Sequence, residues 1–246
     1  ERREAEARIA AGADLLVVNS PGEARALMEV LDAPRRRILV DTPGVDTAVF
    51  TPSGQAWWPG GETEDVDPFD PELRVLFAGR IQRHKGPQVL VGALGELRRR
   101  GVLPPGTDRL RAHVNGAPSG ADVPDLTALA QSEGVADLVT FSEPVPAEEL
   151  AAQFRAADLV AMPSFSESYG LVALEAQACG TPVLAHRTGG LVHAVTDGVT
   201  GRLVRQNTPE AWADALEQVL ADPAAWRAMS GEAERRARAH TWDGYA

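Results

Sequence analysis

Short apolar segments alternate with longer helical segments along almost the whole chain, and this alternation constrains the fold more than any other feature. The apolar segments, such as Asp14–Val18, Arg74–Gly79 and Asp158–Met162, have the length of β-strands. Strands of about four to six residues that alternate with helices of about ten to fifteen predict βαβ units. We therefore predict an α/β fold with a Rossmann-like parallel sheet and helices on both faces.

The same pattern predicts individual elements. Strands are predicted at Leu110–Asn115 and Gly201–Val204, a capped helix starts at Asn19-Ser20-Pro21, and a single helix over Pro223–His240 closes the chain. The turn Gly189-Gly190 follows a predicted strand, so we expect its glycines to line the ligand cleft.

One segment interrupts this alternation. Between Thr51 and Pro71 the chain is rich in Pro, Gly and acidic residues, which is typical of a linker or a surface loop. We predict a first unit over residues 1–49, a linker over 50–72 and a second unit over 73–246. The opening residues E-R-R-E-A-E-A-R resemble the middle of a charged helix, so we expect the chain to begin partway into a longer protein.

Composition narrows the range of partners. The net charge of −11 and the pI near 4.9 argue against nucleic acid or an anionic membrane surface as the main partner. The single cysteine, Cys179, excludes an internal disulfide and a cysteine metal cage. No apolar run approaches the ~18 residues that a membrane-spanning helix needs. A small-molecule ligand therefore fits this sequence better than a polyanion or a lipid bilayer.

The stretch from Phe165 to Pro182 combines the features of a phosphate and hydroxyl site. It follows a predicted strand, opens a helix at Gly170, and contains Glu167 and Glu175 eight positions apart. The backbone N–H groups of Gly170 and Leu171 would point out of the helix start toward a phosphate, and a glycine there lets the phosphate approach closely. Glu175, about 7 Å further along the helix, could accept hydrogen bonds from ribose hydroxyls.

A basic turn follows the Arg74 strand. It has the sequence G-R-I-Q-R-H-K-G, and its Lys85 is the only lysine of the protein, since every other basic side chain apart from histidine is arginine. A compact ammonium and the guanidinium of Arg80 beside a helix start would suit a diphosphate. Two plainer interpretations of these residues stay open. The basic turn could only balance the charge of an acidic surface, and the two glutamates could only cap the helix start and lie exposed on the helix. A glycosidase pair of Glu167 and Glu175 would leave Arg80 and Lys85 without a role.

Three longer motifs resemble a known family. They are G-R-I-Q-R-H-K-G from Gly79, E-S-Y-G-L-V-A-L-E-A-Q-A-C-G-T-P-V from Glu167, and G-G-L-V-H-A-V-T-D-G-V-T-G-R-L-V from Gly189. Together they resemble the retaining GT-B glycosyltransferases of family 4. The resemblance extends from about Arg3 to Trp242 and implies that the chain is the C-terminal half of a GT-B fold.

Shorter segments resemble one actinobacterial subgroup of that family. They are F-R-A-A-D-L-V-A-M-P-S from Phe154, E-A-Q-A-C-G-T-P from Glu175, and G-A-P-S-G from Gly116. The subgroup transfers N-acetylglucosamine from UDP-N-acetylglucosamine to 1D-myo-inositol 3-phosphate in mycothiol biosynthesis. Asp41-Thr42 and the inserted loop Trp57–Asp70 depart from its pattern, so another nucleotide-sugar donor and acceptor stay open. A binding module without turnover also stays open, because we expect the acceptor half of the fold to be missing.

The resemblance implies a role for each matching donor-site residue. Arg80 and Lys85 would hold the UDP diphosphate and stabilise the leaving group. Glu175 would bind the ribose hydroxyls and Glu167 a hydroxyl of the donor sugar. The backbone at Val145 would face the uracil. Residues 1–49 would be the remnant of an N-terminal, acceptor-side Rossmann domain, and 73–246 the nucleotide-sugar-binding domain.

The resemblance also implies further partners. Arg2 or Arg3 would match an arginine that contacts the phosphate of the inositol phosphate acceptor. No cofactor is expected for the chemistry, but the subgroup has a structural magnesium ion. Its ligands would be mainly backbone oxygens at four positions, Phe154, Arg155, Ala157 and Thr181. We expect a cytoplasmic enzyme whose partners include a missing N-terminal domain, with a homodimer as one alternative for the assembly.

Overall fold

A computed structural model describes residues 2–59 and 72–242, and of Arg2 only the backbone. The strands among these residues are β1 (Leu16–Val18), β2 (Ile38–Val40), β3 (Leu73–Ala78), β4 (Leu110–Asn115), β5 (Val139–Ser142), β6 (Leu159–Met162), β7 (Val183–His186) and β8 (Gly201–Val204). The helices are α1 (Arg2–Gly12), α2 (Pro21–Leu31), α3 (Pro87–Arg99), α4 (Leu126–Ser132), α5 (Ala147–Ala156), α6 (Leu171–Ala178), α7 (Leu191–Ala194), α8 (Pro209–Ala221), α9 (Pro223–Arg227) and α10 (Ser230–Arg238).

The larger sheet has six parallel strands in the order β5-β4-β3-β6-β7-β8. The polypeptide builds outward from β3 to β5 and then returns to place β6 on the other side of β3. The strand order therefore reverses between β3 and β6. In open sheets of this kind, ligands bind beyond the carboxyl ends of the strands at that reversal.

Helices cover both faces of this sheet. On one face α3 and α8 pack through fully buried side chains such as Leu94 and Trp212. On the other, α5, α6 and α10 contribute Phe154, Leu174 and Ala237, all without measurable exposure. A parallel sheet buried on both faces is the expected reason for the near-continuous apolar strands in the sequence. The predicted Rossmann-like α/β class is confirmed.

The smaller sheet has only β1 and β2, paired in parallel. Its inward side chains, including Val18 and Ile38, pack with Ala24 of α2 in a small cluster. Helix α2 begins as the sequence indicates, because Ser20 caps it by accepting a hydrogen bond from the Glu23 N–H at 3.2 Å. The opposite face of this sheet is largely exposed.

The segment after β2 packs onto the larger domain. Val45 forms an isolated parallel bridge with Thr241, and Phe50 joins the core that contains Phe154. The Arg155 guanidinium donates to the carbonyl oxygens of Thr51 and Gln55, at 3.1 and 2.8 Å. The rest of the predicted linker, residues 60–71, lies outside the described residues, so the proposed domain boundaries stay a prediction.

One helix predicted from the sequence is wrong in its extent. The pattern from Pro223 to His240 indicated a single helix, but α9 ends at Arg227 and α10 begins at Ser230. The side chains of Trp226 and Arg227 bind Asp158, through its carbonyl at 2.9 Å and its carboxylate at 3.0 Å. This holds α9 at the start of β6, while α10 packs against α6, so a turn separates the two helices. None of the helices among the described residues has the length and apolarity to cross a membrane.

Candidate active site

A cleft of about 490 Å³ opens where the strand order reverses. The carboxyl ends of β3 and β6 form its floor, with Gly79 and Met162 among its lining residues. Asn19, which follows β1, and Pro43, which follows β2, line the opposite side. The carboxyl ends of both sheets therefore face one cleft, which is the position that the topology predicts for a ligand.

The turn after β3 presents two cations to this cleft. A 3-10 helix, Arg83–Lys85, ends at Gly86, whose φ is 78° and where a Cβ would lie 1.8 Å from the Pro163 carbonyl oxygen. A glycine is required there, because the turn packs directly on the loop that follows β6. Arg80 is exposed at the cleft, and its guanidinium makes no ion pair or hydrogen bond with the described residues. It is therefore available for an anionic ligand.

Lys85 and Glu167 are in direct contact. The Lys85 Nζ donates to the Glu167 Oε2 at 2.7 Å, and the two side chains are only 18% and 15% exposed. The Ser164 hydroxyl lies 3.4 Å from the same carboxylate oxygen. The residues that the sequence assigned to two separate sites, diphosphate and sugar, thus form one ion pair in this cleft. A ligand in this part of the cleft would be within reach of both side chains.

Hydrogen bonds to the backbone hold the loop between β6 and α6. The His186 Nδ1 lies 2.8 Å from the Ser164 carbonyl oxygen, so Nδ1 donates the proton. The Asn207 side-chain amide donates to the Pro163 carbonyl at 2.7 Å. These contacts come from the end of β7 and from the residues before α8, and they fix the loop on which Glu167 lies.

The two glycines after β7 support the same loop. Sequence reasoning placed Gly189 and Gly190 at the ligand cleft, but neither lines it among the described residues. A Cβ at Gly189 would lie 2.2 Å from the Glu167 carbonyl oxygen, and one at Gly190 equally close to the Ser168 carbonyl. The Gly190 N–H donates to that Glu167 oxygen at 2.8 Å. Both glycines allow close packing, Gly189 against the backbone of Glu167 and Gly190 against the backbone of Ser168.

The start of α6 is open toward the cleft. The N–H groups of Gly170, Leu171 and Val172 make no hydrogen bond within the described part of the protein, and all three residues line the cleft. Unpaired N–H groups at a helix start attract anions. The structure gives a different reason for a glycine at position 170 than the close approach of a phosphate. Gly170 has φ 105°, and a Cβ there would meet the Leu191 side chain at 2.7 Å.

Glu175 lies deeper in the same helix than the other candidate residues. It is half-buried, its carboxylate makes no hydrogen bond within the described residues, and it is not among the residues that line the cleft. Burial raises the pKa of the Glu175 carboxyl to about 7. A carboxylate in this state gains from hydroxyl donors that a bound ligand would bring.

A second cavity of about 440 Å³ adjoins the cleft at the carboxyl ends of β4 and β5. Its wall includes Ile81 from the basic turn and the residues Ser142 and Glu143 at the end of β5. Val145, the residue expected to face uracil, lies two positions further on and is partly exposed. Val145 itself is not among the described residues that line this cavity, so its role stays a prediction.

The residues predicted to contact the acceptor, Arg2 and Arg3, lie at the start of α1. Arg3 is in α1, where its guanidinium donates to the Val30 carbonyl at 3.2 Å. It is not among the described residues that line the cleft. The side chain of Arg2 lies outside the described residues, so this assignment stays a prediction.

The predicted magnesium position is the C-terminal end of α5. The Thr181 hydroxyl donates to the Phe154 carbonyl at 2.6 Å, and the Ala157 N–H donates to the same oxygen at 3.1 Å. No cluster of three or more His, Cys, Asp or Glu side chains suited to a metal occurs among the described residues. A cation there would depend on backbone and hydroxyl oxygens, which are donors that hard cations accept, at the negative end of a helix.

Sequence reasoning missed several residues of the cleft. Ser164 touches Glu167, and Trp242 and Asn19 line the cleft from segments remote in sequence. Tyr169 is 3% exposed and its hydroxyl contacts Thr42, which joins the α6 loop to the segment after β2. Asn19 follows a predicted strand, and that position alone could have indicated it. Nothing in the local pattern distinguishes Ser164 or Trp242.

Comparison with known proteins identifies the class. A family model described as glycosyl transferases group 1 matches residues 62–237. Sucrose-phosphate synthase from Thermosynechococcus elongatus is similar in structure, with a TM-score of 0.81 and 30% identity over 99% of this chain and 58% of that protein. The Anabaena protein Alr3699/HepE, solved in complex with UDP and glucose, shares the fold, with a TM-score of 0.79 and 20% identity over 97% of this chain and 62% of that protein.

The fold is that of the GT-B glycosyltransferases, and the chain belongs to the glycosyl transferases group 1 family. Among curated relatives, the D-inositol 3-phosphate glycosyltransferase of Paenarthrobacter aurescens (strain TC1) is 48% identical over 242 residues. That match covers 98% of this chain and 57% of the relative. The sequence thus spans little more than half the length of this relative. The family that the motifs resemble is confirmed.

Proposed function

We propose that this chain is the nucleotide-sugar-binding part of a retaining glycosyltransferase that moves N-acetylglucosamine from UDP-N-acetylglucosamine to 1D-myo-inositol 3-phosphate in mycothiol biosynthesis. The main support is the cleft between β3 and β6, where Arg80, the Lys85–Glu167 pair and the open start of α6 converge. The inositol phosphate acceptor is supported by the 48% identical relative, which is a D-inositol 3-phosphate glycosyltransferase. The UDP-N-acetylglucosamine donor is what the resemblance of the motifs implies.

The proposed mechanism uses no nucleophile from the enzyme. The acceptor hydroxyl attacks the anomeric carbon on the face from which the diphosphate leaves, and a diphosphate oxygen takes its proton. Arg80 and Lys85 would stabilise the negative charge that develops on the leaving group, and the N–H groups of Gly170 and Leu171 would add to this effect. Glu167 would orient the donor sugar and Glu175 the ribose, while the Val145 backbone would face the uracil.

The acceptor side of the reaction requires more than the described cleft. The exposed face of the β1–β2 sheet and the length of the Paenarthrobacter relative support a further N-terminal domain as a partner. Arg2 or Arg3 would contact the acceptor phosphate there. The same observations favour the alternative in which this chain alone binds a nucleotide sugar without turnover. A cytoplasmic location and a homodimer belong to this proposal as well.

No metal is required for the proposed chemistry. A magnesium ion held by the backbone oxygens of Phe154, Arg155 and Ala157 and by Thr181 would stabilise the end of α5, remote from the reacting atoms. The oxygen-only donor set at a helix C-terminus supports this assignment.

Calorimetry with UDP and with UDP-N-acetylglucosamine tests the binding proposal. We expect both to bind, and a protein that binds neither contradicts the proposal. An assay with UDP-N-acetylglucosamine and 1D-myo-inositol 3-phosphate then separates the alternatives. We expect turnover only when the chain is joined to the N-terminal segment of the Paenarthrobacter relative. Turnover by the 246-residue protein alone would exclude the module without catalysis.

A further inference from the structure

The cavity beside the cleft has the character of a site for a flat, partly apolar group. Ile81 and Phe141 contribute apolar side chains to its wall, and Gly116, Ser142 and Glu143 bring backbone to it. Phe141 is 40% exposed. Because Ile81 directly follows Arg80, a nucleotide with its diphosphate at Arg80 has this cavity within reach of its base. This step rests on the proposed function.

The backbone that leaves β5 beside this cavity is unusually stiff. Its sequence is Glu143-Pro144-Val145-Pro146, between the end of β5 and the start of α5. Proline fixes its own φ, lacks an N–H, and restricts the residue before it to extended conformations. Glu143 and Val145 each precede a proline. The segment is therefore rigid, and the direction in which its backbone groups face the cavity depends on the contacts at its two ends.

One end of the segment is anchored by α5, where the Pro146 carbonyl accepts from the Leu150 N–H at 2.9 Å. The other end is anchored by Asn115, the last residue of β4. Its side-chain amide donates to the Glu143 carbonyl oxygen at 3.1 Å and to the Ser142 hydroxyl at 3.0 Å. Among the described residues, no other hydrogen bond to that carbonyl oxygen is found.

Asn115 is itself fixed by burial and by a second polar side chain. It is 4% exposed, and the ring of His113, 1% exposed, lies 2.8 Å from the Ser142 hydroxyl through Nε2 and 2.8 Å from the Thr140 hydroxyl through Nδ1. Buried polar groups with their hydrogen bonds satisfied hold a single geometry. The amide of Asn115 is thus a rigid support for Glu143.

We propose that Asn115 is a positioning residue that sets the orientation of the Glu143–Pro146 backbone and thereby the selectivity of this site for a uracil base. Uracil offers one N–H donor flanked by carbonyl acceptors, which a fixed backbone carbonyl and N–H at Val145 complement. Adenine also has a donor beside an acceptor, but it carries them on a two-ring base whose edge lies farther from the ribose, so the same backbone groups do not meet them. A backbone held at the correct angle therefore favours UDP over ADP, although the two share the same diphosphate.

The test measures the affinities of the 246-residue protein for UDP and for ADP by calorimetry, before and after substitution. Asn115→Ala removes the amide, and Asn115→Asp keeps its size but not its donor. We expect both substitutions to lower the affinity for UDP about tenfold and to leave the affinity for ADP nearly unchanged, since a hydrogen bond of this kind contributes on that scale. Unchanged selectivity in Asn115→Asp overturns the proposal.

Two further variants keep the test decisive. Pro144→Ala changes an exposed residue, so this variant should fold even if the Asn115 variants do not. We expect it to lower the ratio of UDP affinity to ADP affinity, because the segment becomes more flexible without this proline. Asn207→Ala is the matched control, because Asn207 anchors Pro163 in the other loop. We expect it to weaken both nucleotides equally. If Pro144→Ala keeps the ratio, or if Asn207→Ala lowers it as much as Asn115→Ala, the proposal is wrong.

The same measurements separate this inference from the proposed function. A protein that binds neither UDP nor ADP before substitution contradicts the proposed function. A protein that prefers UDP, and whose Asn115 variants keep that preference, contradicts only the role of Asn115.

Discussion

The two parallel sheets of this protein are buried to very different degrees. In the six-stranded sheet, Leu76 of β3 and Val160 of β6 have no exposed surface, since helices cover both faces. In the two-stranded sheet, Val17 and Leu39 face each other across β1 and β2 and are 54% and 47% exposed. Parallel sheets normally have both faces covered, and two strands alone are marginal. The smaller sheet is thus incompletely buried by the described residues.

The same two regions contribute unequally to the cleft. The larger domain supplies its own core and most of the groups suited to a nucleotide sugar, including Arg80, Lys85 and Glu167. The smaller unit contributes only Asn19 and Pro43 to the cleft, among the residues that the structure describes. Ligand binding in the cleft should therefore depend mainly on the stability of the larger domain.

The largest expected effect is on the free energy of unfolding, when one leucine in each sheet is truncated. Leu76→Ala leaves a cavity in a covered sheet, so we expect it to lower the free energy of unfolding by about 2–5 kcal/mol. Leu39→Ala removes a half-exposed side chain, so we expect a change within about 0.5 kcal/mol. Urea denaturation of both variants measures this. Equal losses would show that the face of the smaller sheet is covered in solution.

Removal of the protein's only lysine should have the next largest effect, on binding. Lys85→Ala deletes a charged donor at the cleft, so we expect UDP affinity to fall roughly 10- to 100-fold, or about 1.5–3 kcal/mol. Arg83→Ala is the control, because Arg83 pairs with Asp122 at 2.8 Å on an exposed part of the same turn. Calorimetry with UDP compares them, and similar losses would remove Lys85 from the diphosphate site.

Glu167→Gln should tighten the binding of UDP but not that of UDP-N-acetylglucosamine. The Glu167 carboxylate pairs with the Lys85 ammonium and also repels an anionic ligand. Loss of this charge should therefore raise the affinity for UDP about two- to fivefold, the scale expected for a partly exposed ion pair. UDP-N-acetylglucosamine should not gain, because its sugar loses a charged acceptor. Calorimetry with each ligand tests this, with Glu149→Gln, at an exposed glutamate of α5, as a control for loss of charge alone. A gain of the same size for both ligands would leave Glu167 without a sugar contact.

The smallest predicted effect is a pH dependence. Burial raises the pKa of Glu175 to about 7, and ribose hydroxyls would favour the ionised form and lower that pKa on binding. Affinity for UDP-N-acetylglucosamine, which has no group that titrates near pH 7, should therefore fall a few-fold as the pH drops from 8 to 6. Each unit of pKa change corresponds to at most about tenfold. Glu175→Gln should abolish the dependence, and persistence of the dependence in that variant would assign it to another group.

Much of the fold could be predicted because local pattern and burial agree. The strands β4 and β8 begin and end where the apolar segments do, and α2 begins at the cap that Ser20 predicts. The division of Pro223–His240 into two helices could not be predicted. It depends on Asp158, about 70 positions away, which binds Trp226 and Arg227.

The sequence by itself determined the chemistry of the site: a lone lysine, two glutamates eight positions apart and a glycine at a helix start, all after strands of one parallel sheet. Only the tertiary structure decided how they meet. It pairs Lys85 with Glu167, leaves Arg80 free of partners among the described residues, and buries Glu175 enough to raise its pKa. The physical reason is that charge pairing and desolvation depend on distances between segments. Those distances follow from strand order and packing, which no local pattern contains.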